Sequence, residues 1–165
     1  MQEIILNSFQ EKFRQKILNK WIFKTFMFAK LPMAWFAGLS ASKLTANEAH
    51  VTVKYKWITQ NPFKSIYFAV LSMAAEMSTG LPVMMYIQDE KLKISMLVTG
   101  CEAIFTKKAV GLITFKCIDG SLVSESVKKA INTKEGVDMI LESKGYDQSN
   151  NEVATFKFRW SIKVK

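Results

Sequence analysis

The chain has 165 residues, 49% hydrophobic and 22% charged, with 23 Lys and Arg against 14 Asp and Glu for a net charge of +9. This composition excludes a disordered or fibrous chain and suits one globular domain with a sizeable core. The basic balance favours acidic partners: phosphorylated ligands, nucleic acid or an anionic membrane surface.

The opening stretch MQEIILNSFQEKFRQK carries charge from Glu3 onward and lacks the basic start, unbroken apolar core and small-residue cleavage site of a signal peptide. Ile5, Phe9, Phe13, Ile17 and Trp21 recur at every fourth position, which predicts a helix over residues 2–18 with an apolar stripe. Packing of that stripe on the domain's own core is the favoured reading, and binding of the basic amphipathic segment to a membrane surface is the other. WIFKTFMFAKLP continues the segment as far as Pro32. Residues 1–30 are thus an amphipathic helical extension, and 31–165 the domain proper.

From Ala34 the pattern turns to strands. WFAGLSASKLT is followed by a hairpin turn at Thr45-Ala46-Asn47-Glu48, and then by HVTVKYKWI, where Val51, Val53, Tyr55 and Trp57 alternate with polar neighbours. After Asn61-Pro62 a helix is predicted from near Pro62 or Phe63 to near Gly80 or Pro82. KLKISMLVTGCEAIFT and VGLITFKCI read as paired strands around Lys107-Lys108, and SLVSESVKKAINT as a short surface helix or loop. GVDMILESKGYD and NEVATFKFRWSIKVK complete the sheet; in the last, Ala154, Phe156, Phe158, Trp160, Ile162 and Val164 face the core and the cations face outward. The order predicts an α+β domain with mostly antiparallel strands.

Several chemistries drop out. Cys101 and Cys117 fit neither a metal spacing nor a disulfide scaffold, so a reducing cytoplasm is expected, with no metal and no cofactor. His50 is the sole histidine and alternates outward on its strand, against a Ser-His-Asp or Cys-His mechanism. The seven glycines are too far apart for a phosphate loop or dinucleotide fingerprint. VKYKWI and FKFRW interleave bases and aromatics, yet their alternation sends the two kinds to opposite faces, which disfavours a nucleic-acid platform.

The stretch SIYFAVLSMAAEMSTGLPVMMYIQ holds one charge, Glu76, and Glu76, Gly80 and Pro82 argue against a membrane span. Ser65, Ala69, Ser72, Glu76 and Thr79 lie on one helical stripe. Three readings stand side by side. The stripe could permit close backbone approach, Glu76 could pair with a cation of another strand or subunit, or the stripe could wall a ligand channel with Glu76 as its reactive group.

NPFKSIYFAVLSMAAEMSTG, set between a strand pair and a run of antiparallel strands and followed by EVATFKFRWSIKVK, resembles an uncharacterised branch of the hotdog-fold thioesterase-like proteins over residues 30–165. The resemblance implies a curved antiparallel sheet wrapped around one long central helix, with the N-terminal helix as an addition. It also implies a homodimer, or a tetramer built from dimers, with acyl thioesters such as acyl-coenzyme A bound near the subunit interface. Many thioesterases of this fold carry a His-Gly-Gly or Phe-Gly-Gly element at the helix start and an acidic residue nine positions after its first member. With Phe63-Lys64-Ser65 in that place, the ninth position is Ser72, and Glu76 lies one turn further along the same face.

The resemblance implies Glu76 as the group that activates water or attacks the carbonyl, and Ser72 as the one that positions the water. Backbone amides of Lys64, Ser65 and Ile66 would polarise the carbonyl oxygen, and Asn61 and Thr79 complete the substrate-binding set. Lys64, Lys107 and Lys108 are candidates for coenzyme phosphates. The alternative is a non-catalytic acyl-thioester or lipid-like ligand-binding protein of the same fold, and the third reading is a basic protein of nucleic acid or membrane surfaces.

Overall fold

The computed structural model describes residues 4–88 and 92–165. Helices α1 (Ser8–Leu18), α2 (Lys20–Lys30) and α3 (Pro32–Ala37) come first. Asn7 accepts from the N–H groups of Phe9 and Gln10 at 2.9 Å each, while the Gln10 side chain accepts from Asn7 N–H at 3.0 Å. This capping box starts α1 at Ser8, later than the apolar spacing suggests.

The stripe expected from Ile5 to Trp21 is broken. Ile17 is buried, but Ile5 and Trp21 are exposed. Ile5 precedes α1, and Trp21 is turned outward by Asn19, which ends α1 and caps α2 by accepting from Trp21 and Ile22 N–H groups. The helical phase restarts there, and α2 turns Phe23 and Met27 inward instead. Pro32 then opens α3 and Gly38, at φ 74°, closes it, so residues 34–37, expected as strand, are helical.

Strands β1 (Ser40–Leu44) and β2 (Ala49–Lys54) form the expected hairpin, with Thr45 N–H donating to the Glu48 carbonyl at 2.8 Å. β2 stops early because the buried Thr59 hydroxyl accepts from Lys56 N–H and donates to the Lys54 carbonyl. That staple winds Trp57–Thr59 into a 3-10 turn and leaves Trp57, expected inward, exposed.

The central helix α4 runs from Phe68 to Tyr86, several residues later at each end than its sequence signals suggest. Asn61 Oδ1 accepts from Phe63 and Ser65 N–H groups, Lys64 adopts φ 58°, and Ile66 N–H donates to Ala109 O. Residues 61–66 are therefore a closed turn, and no helix can start until they end. Gly80 does not terminate the helix. A Cβ there would lie 3.3 Å from the Trp160 ring, so glycine permits a close approach, and the helix continues through Pro82. α4 is long and apolar enough to cross a membrane, but most of it is buried inside the sheet.

Beyond α4 come β3 (Ile94–Phe105), β4 (Leu112–Cys117), α5 (Gly120–Thr133), β5 (Val137–Tyr146) and β6 (Glu152–Val164). All pairings are antiparallel, in the order β1-β2-β4-β5-β6-β3. β3 and β4, expected to pair, are separated: β3 pairs with β6, while β4 lies between β2 and β5. The connection after β3 is tied back to the pre-helix turn by the Ile66–Ala109 bond, which carries the chain across the sheet. α5 is a full amphipathic helix whose Val123, Val127 and Ala130 are buried against the sheet and α4. The last strand follows its predicted alternation, with Phe156, Phe158, Trp160 and Ile162 in the core.

Two buried side-chain bonds set the rotation of α4 on the sheet. Ser78 and Ser143 hydroxyls meet at 2.6 Å, and Trp160 Nε1 donates to Thr79 Oγ1 at 3.0 Å. A curved antiparallel sheet wrapped around one long helix is the hotdog fold.

Candidate functional site

With Ser78 turned to β5 and Thr79 to β6, a helical step of about 100° per residue puts Glu76 on the Thr79 side, towards β6 and β3. There it lines a cavity of about 350 Å³ bounded by Phe23, Phe26 and Lys30 of α2 with the Leu31 that follows, Met77, Gly80, Leu81 and Met84 of α4, Met96 of β3 and Trp160 of β6. The wall is apolar apart from Glu76 and Lys30. Gly80 makes the room: a Cβ there would stand 3.6 Å from Glu76 Oε1 as well as against the indole. Among the described residues no hydrogen bond or ion pair reaches the Glu76 carboxylate, and burial raises its pKa above the usual carboxylate range. A partly buried acid without a partner, facing an apolar cavity, is the arrangement of a group that can take up and release a proton.

A second concavity of about 380 Å³ lies at the start of α4, lined by Asn61, Ser65, Ile66, Phe68, Leu71 and residues 105–109. Three of the sequence-predicted binding residues, Asn61, Ser65 and Ile66, meet here beside Lys107 and Lys108. Lys107 is already paired with Asp147 at 2.9 Å. Ser72 belongs to neither lining and is partly exposed between them; Lys64 is exposed and also outside both. Thr79 is fully buried, donating to the Glu76 carbonyl at 2.9 Å and accepting from Trp160, so its hydroxyl positions the indole wall.

The amides of Lys64, Ser65 and Ile66 donate to Asn61 O, Asn61 Oδ1 and Ala109 O, so all three are engaged. The groups without an acceptor among the described residues are one step on, at Phe68 and Ala69, because α4 has no side-chain cap. The observed helix start also moves the register of the expected motif. The triplet at the start is Tyr67-Phe68-Ala69, and nine positions after Tyr67 stands Glu76, not Ser72.

Other nucleophiles are poorly placed. Burial pushes the Cys117 thiol up to about 12, and His50 is held by Glu48 at 2.6 Å on the outer face of the sheet. Sequence reasoning missed Trp160, Gly80, Met96 and the α2 residues as walls. The inward alternation of Trp160 and the aromatic run 21–28 were visible signals of burial, but neither spacing indicates a shared cavity.

The site is open along β3. Cys101, Ala103 and Phe105 pair with Phe158, Phe156 and Ala154, which all face the core, yet the three are exposed because no strand lies beyond β3 among the described residues.

A family model described as "Domain of unknown function (DUF4442)" matches residues 19–162. No curated protein matches the sequence. The solved structures similar to the chain include PA5026 from Pseudomonas aeruginosa, a protein of unknown function described as a probable thioesterase. It is 16% identical, with 97% of this chain and 99% of that chain covered at a TM-score of 0.74. The PaaI protein of E. coli, from the phenylacetic acid degradation operon, is 14% identical over 93% and 94% at 0.64. A mutant of the thioesterase enzyme SAV0944 from Staphylococcus aureus is 12% identical over 80% and 98% at 0.62. At these identities the likeness is one of fold.

Proposed function

Because the chain belongs to the DUF4442 family and has the hotdog fold of thioesterase-like proteins, we propose that it is a cytoplasmic homodimer that hydrolyses acyl thioesters of the acyl-coenzyme A class. One observation supports the reading: the Glu76 carboxylate, without a partner among the described residues and with a raised pKa, stands in the wall of an apolar cavity large enough for an acyl chain.

In this mechanism the acyl chain lies among Phe23, Phe26, Met96 and Trp160, with the thioester carbonyl beside Glu76. Glu76 takes a proton from water as the oxygen bonds to the carbonyl carbon. The carbon–sulfur bond then breaks, the proton passes to the leaving thiolate, and a carboxylic acid and a thiol remain. Phe68 and Ala69 N–H groups, at the positive end of α4, are the available donors for the carbonyl oxygen of a thioester held near the helix start. The separation of the two concavities along α4 suits sharing of a site between protomers, in which one helix supplies the carboxylate and the other the amides. Turnover of an acyl-coenzyme A panel that Glu76→Gln removes tests this reading.

A second reading has its own support. Phe68 and Ala69 occupy the positions after Tyr67 where many enzymes of the fold carry glycines, and the Phe68 ring packs against Phe105 at 6.4 Å across the mouth of the second concavity. That arrangement supports a non-catalytic acyl-thioester binder. Saturable binding without turnover would select it.

A further inference from the structure

α2 has two apolar faces. The inner one, Phe23 and Met27, is buried in the core. The outer one should be polar on a helix that merely covers a domain, yet Trp21 is 81% and Phe28 62% exposed, and they lie two turns apart on one side. α3 extends the surface. The Phe28 ring meets Trp35 at 5.2 Å, Trp35 meets Phe36 at 5.1 Å, and Met33 and Phe36 are 68% and 55% exposed. Beside α3 the 3-10 turn carries Trp57, 84% exposed. Three of the four tryptophans thus lie exposed on α2, α3 and the turn beside α3, and Trp160 alone is in the core.

Charge says what covers this surface. Residues 19–38, which make up α2 and α3, carry Lys20, Lys24 and Lys30 and no carboxylate. The cations are interleaved with the aromatics, and Lys24 lies over the Trp21 ring at 5.8 Å. Indole and phenyl rings with flanking lysines suit the boundary between headgroups and acyl chains, where rings enter the apolar layer and ammonium groups reach anionic phosphates. A protein partner would have to match the rings with apolar area and also supply carboxylates. An anionic bilayer supplies both chemistries everywhere. We propose that α2, α3 and the Trp57 turn form a docking surface for anionic phospholipid bilayers, on which the protein lies without spanning them. The inner face of the same α2 walls the Glu76 cavity, but the inference stands apart from any hydrolytic activity.

The test uses the full chain with vesicles of phosphatidylcholine alone and of phosphatidylcholine with phosphatidylglycerol. Co-sedimentation with the anionic vesicles only, weakening as salt rises, is expected, together with a blue shift and bromolipid quenching of tryptophan emission. Trp21→Ser combined with Phe28→Ser should weaken binding by about tenfold or more, and so should Lys20→Glu combined with Lys24→Glu. Circular dichroism and melting of both variants should match wild type, since all four side chains are exposed. No sedimentation of wild type would overturn the proposal, as would binding unaffected by the Trp21 and Phe28 changes. Two further results would do the same. One is oligonucleotide binding that accounts for all the lysine dependence; the other is a drop in oligomeric mass on Trp21→Ser, which would make a second copy the occupant.

Discussion

The indole N–H of Trp160 donates to the Thr79 hydroxyl at 3.0 Å inside the core, and this bond joins the strand that walls the cavity to the helix that carries its carboxylate. Thr79→Val keeps the volume and removes the acceptor. A buried donor left without a partner costs about 1–3 kcal/mol, so the melting temperature should fall by several degrees. An unchanged melting curve would show that the indole finds another acceptor.

Glu76→Gln separates catalysis from structure. Under the proposed hydrolysis Glu76 is the positioned base, a role worth about two orders of magnitude or more, and the variant should lose that in turnover. Its effect on stability has the opposite sign. Burial raises the folded-state pKa of Glu76 above its unfolded value. Between the two the native state binds more protons, and stability falls as pH rises. The variant should therefore melt higher than wild type at pH 8, and the gap should close as pH falls to the unfolded carboxylate range near 4. A variant less stable than wild type at pH 8 would reveal a polar partner for the carboxylate.

Gly80→Ala probes the cavity itself. The new methyl would sit 3.3 Å from the Trp160 ring and 3.6 Å from Glu76 Oε1. A gain in helix propensity of roughly 1 kcal/mol offsets part of the crowding, so stability should change little. Capacity should change more: long acyl chains should lose affinity relative to short ones, measured by titration calorimetry across a chain-length series. Equal loss at every length would mean that the chain does not lie past Gly80.

Ala103→Asp tests assembly. Ala103 faces inward on β3 yet is exposed, as a residue awaiting a partner would be. Light scattering should give twice the 18.8 kDa chain mass for the wild type and the single chain mass for the variant. A monomeric wild type would exclude a site shared between protomers.

Elements whose fate depends on alternation or on one local bond were legible in the sequence. The β6 strand and the β1–β2 turn belong to this class. So does Glu76 as the sole charge of the central helix. What was not legible depends on contacts distant in sequence. The start of α4 is delayed by the Ile66–Ala109 bond, Gly80 answers to an indole from β6, and β3, whose neighbour in sequence is β4, pairs with a strand far downstream. The cavity has the same origin. Lys30 and Glu76 share it because Asn19 restarts the helical phase, and no periodicity within either helix records that.

The pairing of β3 with β6 has a consequence for biosynthesis. Ile94 is matched with Val164, seventy residues later, and every other β3 partner is also on β6. During translation β3 leaves the ribosome well before β6, its one partner among the described residues. Until β6 emerges, β3 offers both of its edges, rather than the outer one alone, as a template for other chains. Pairing on this side of the sheet waits for β6, so yield in a cell should depend on chaperone capacity during that interval.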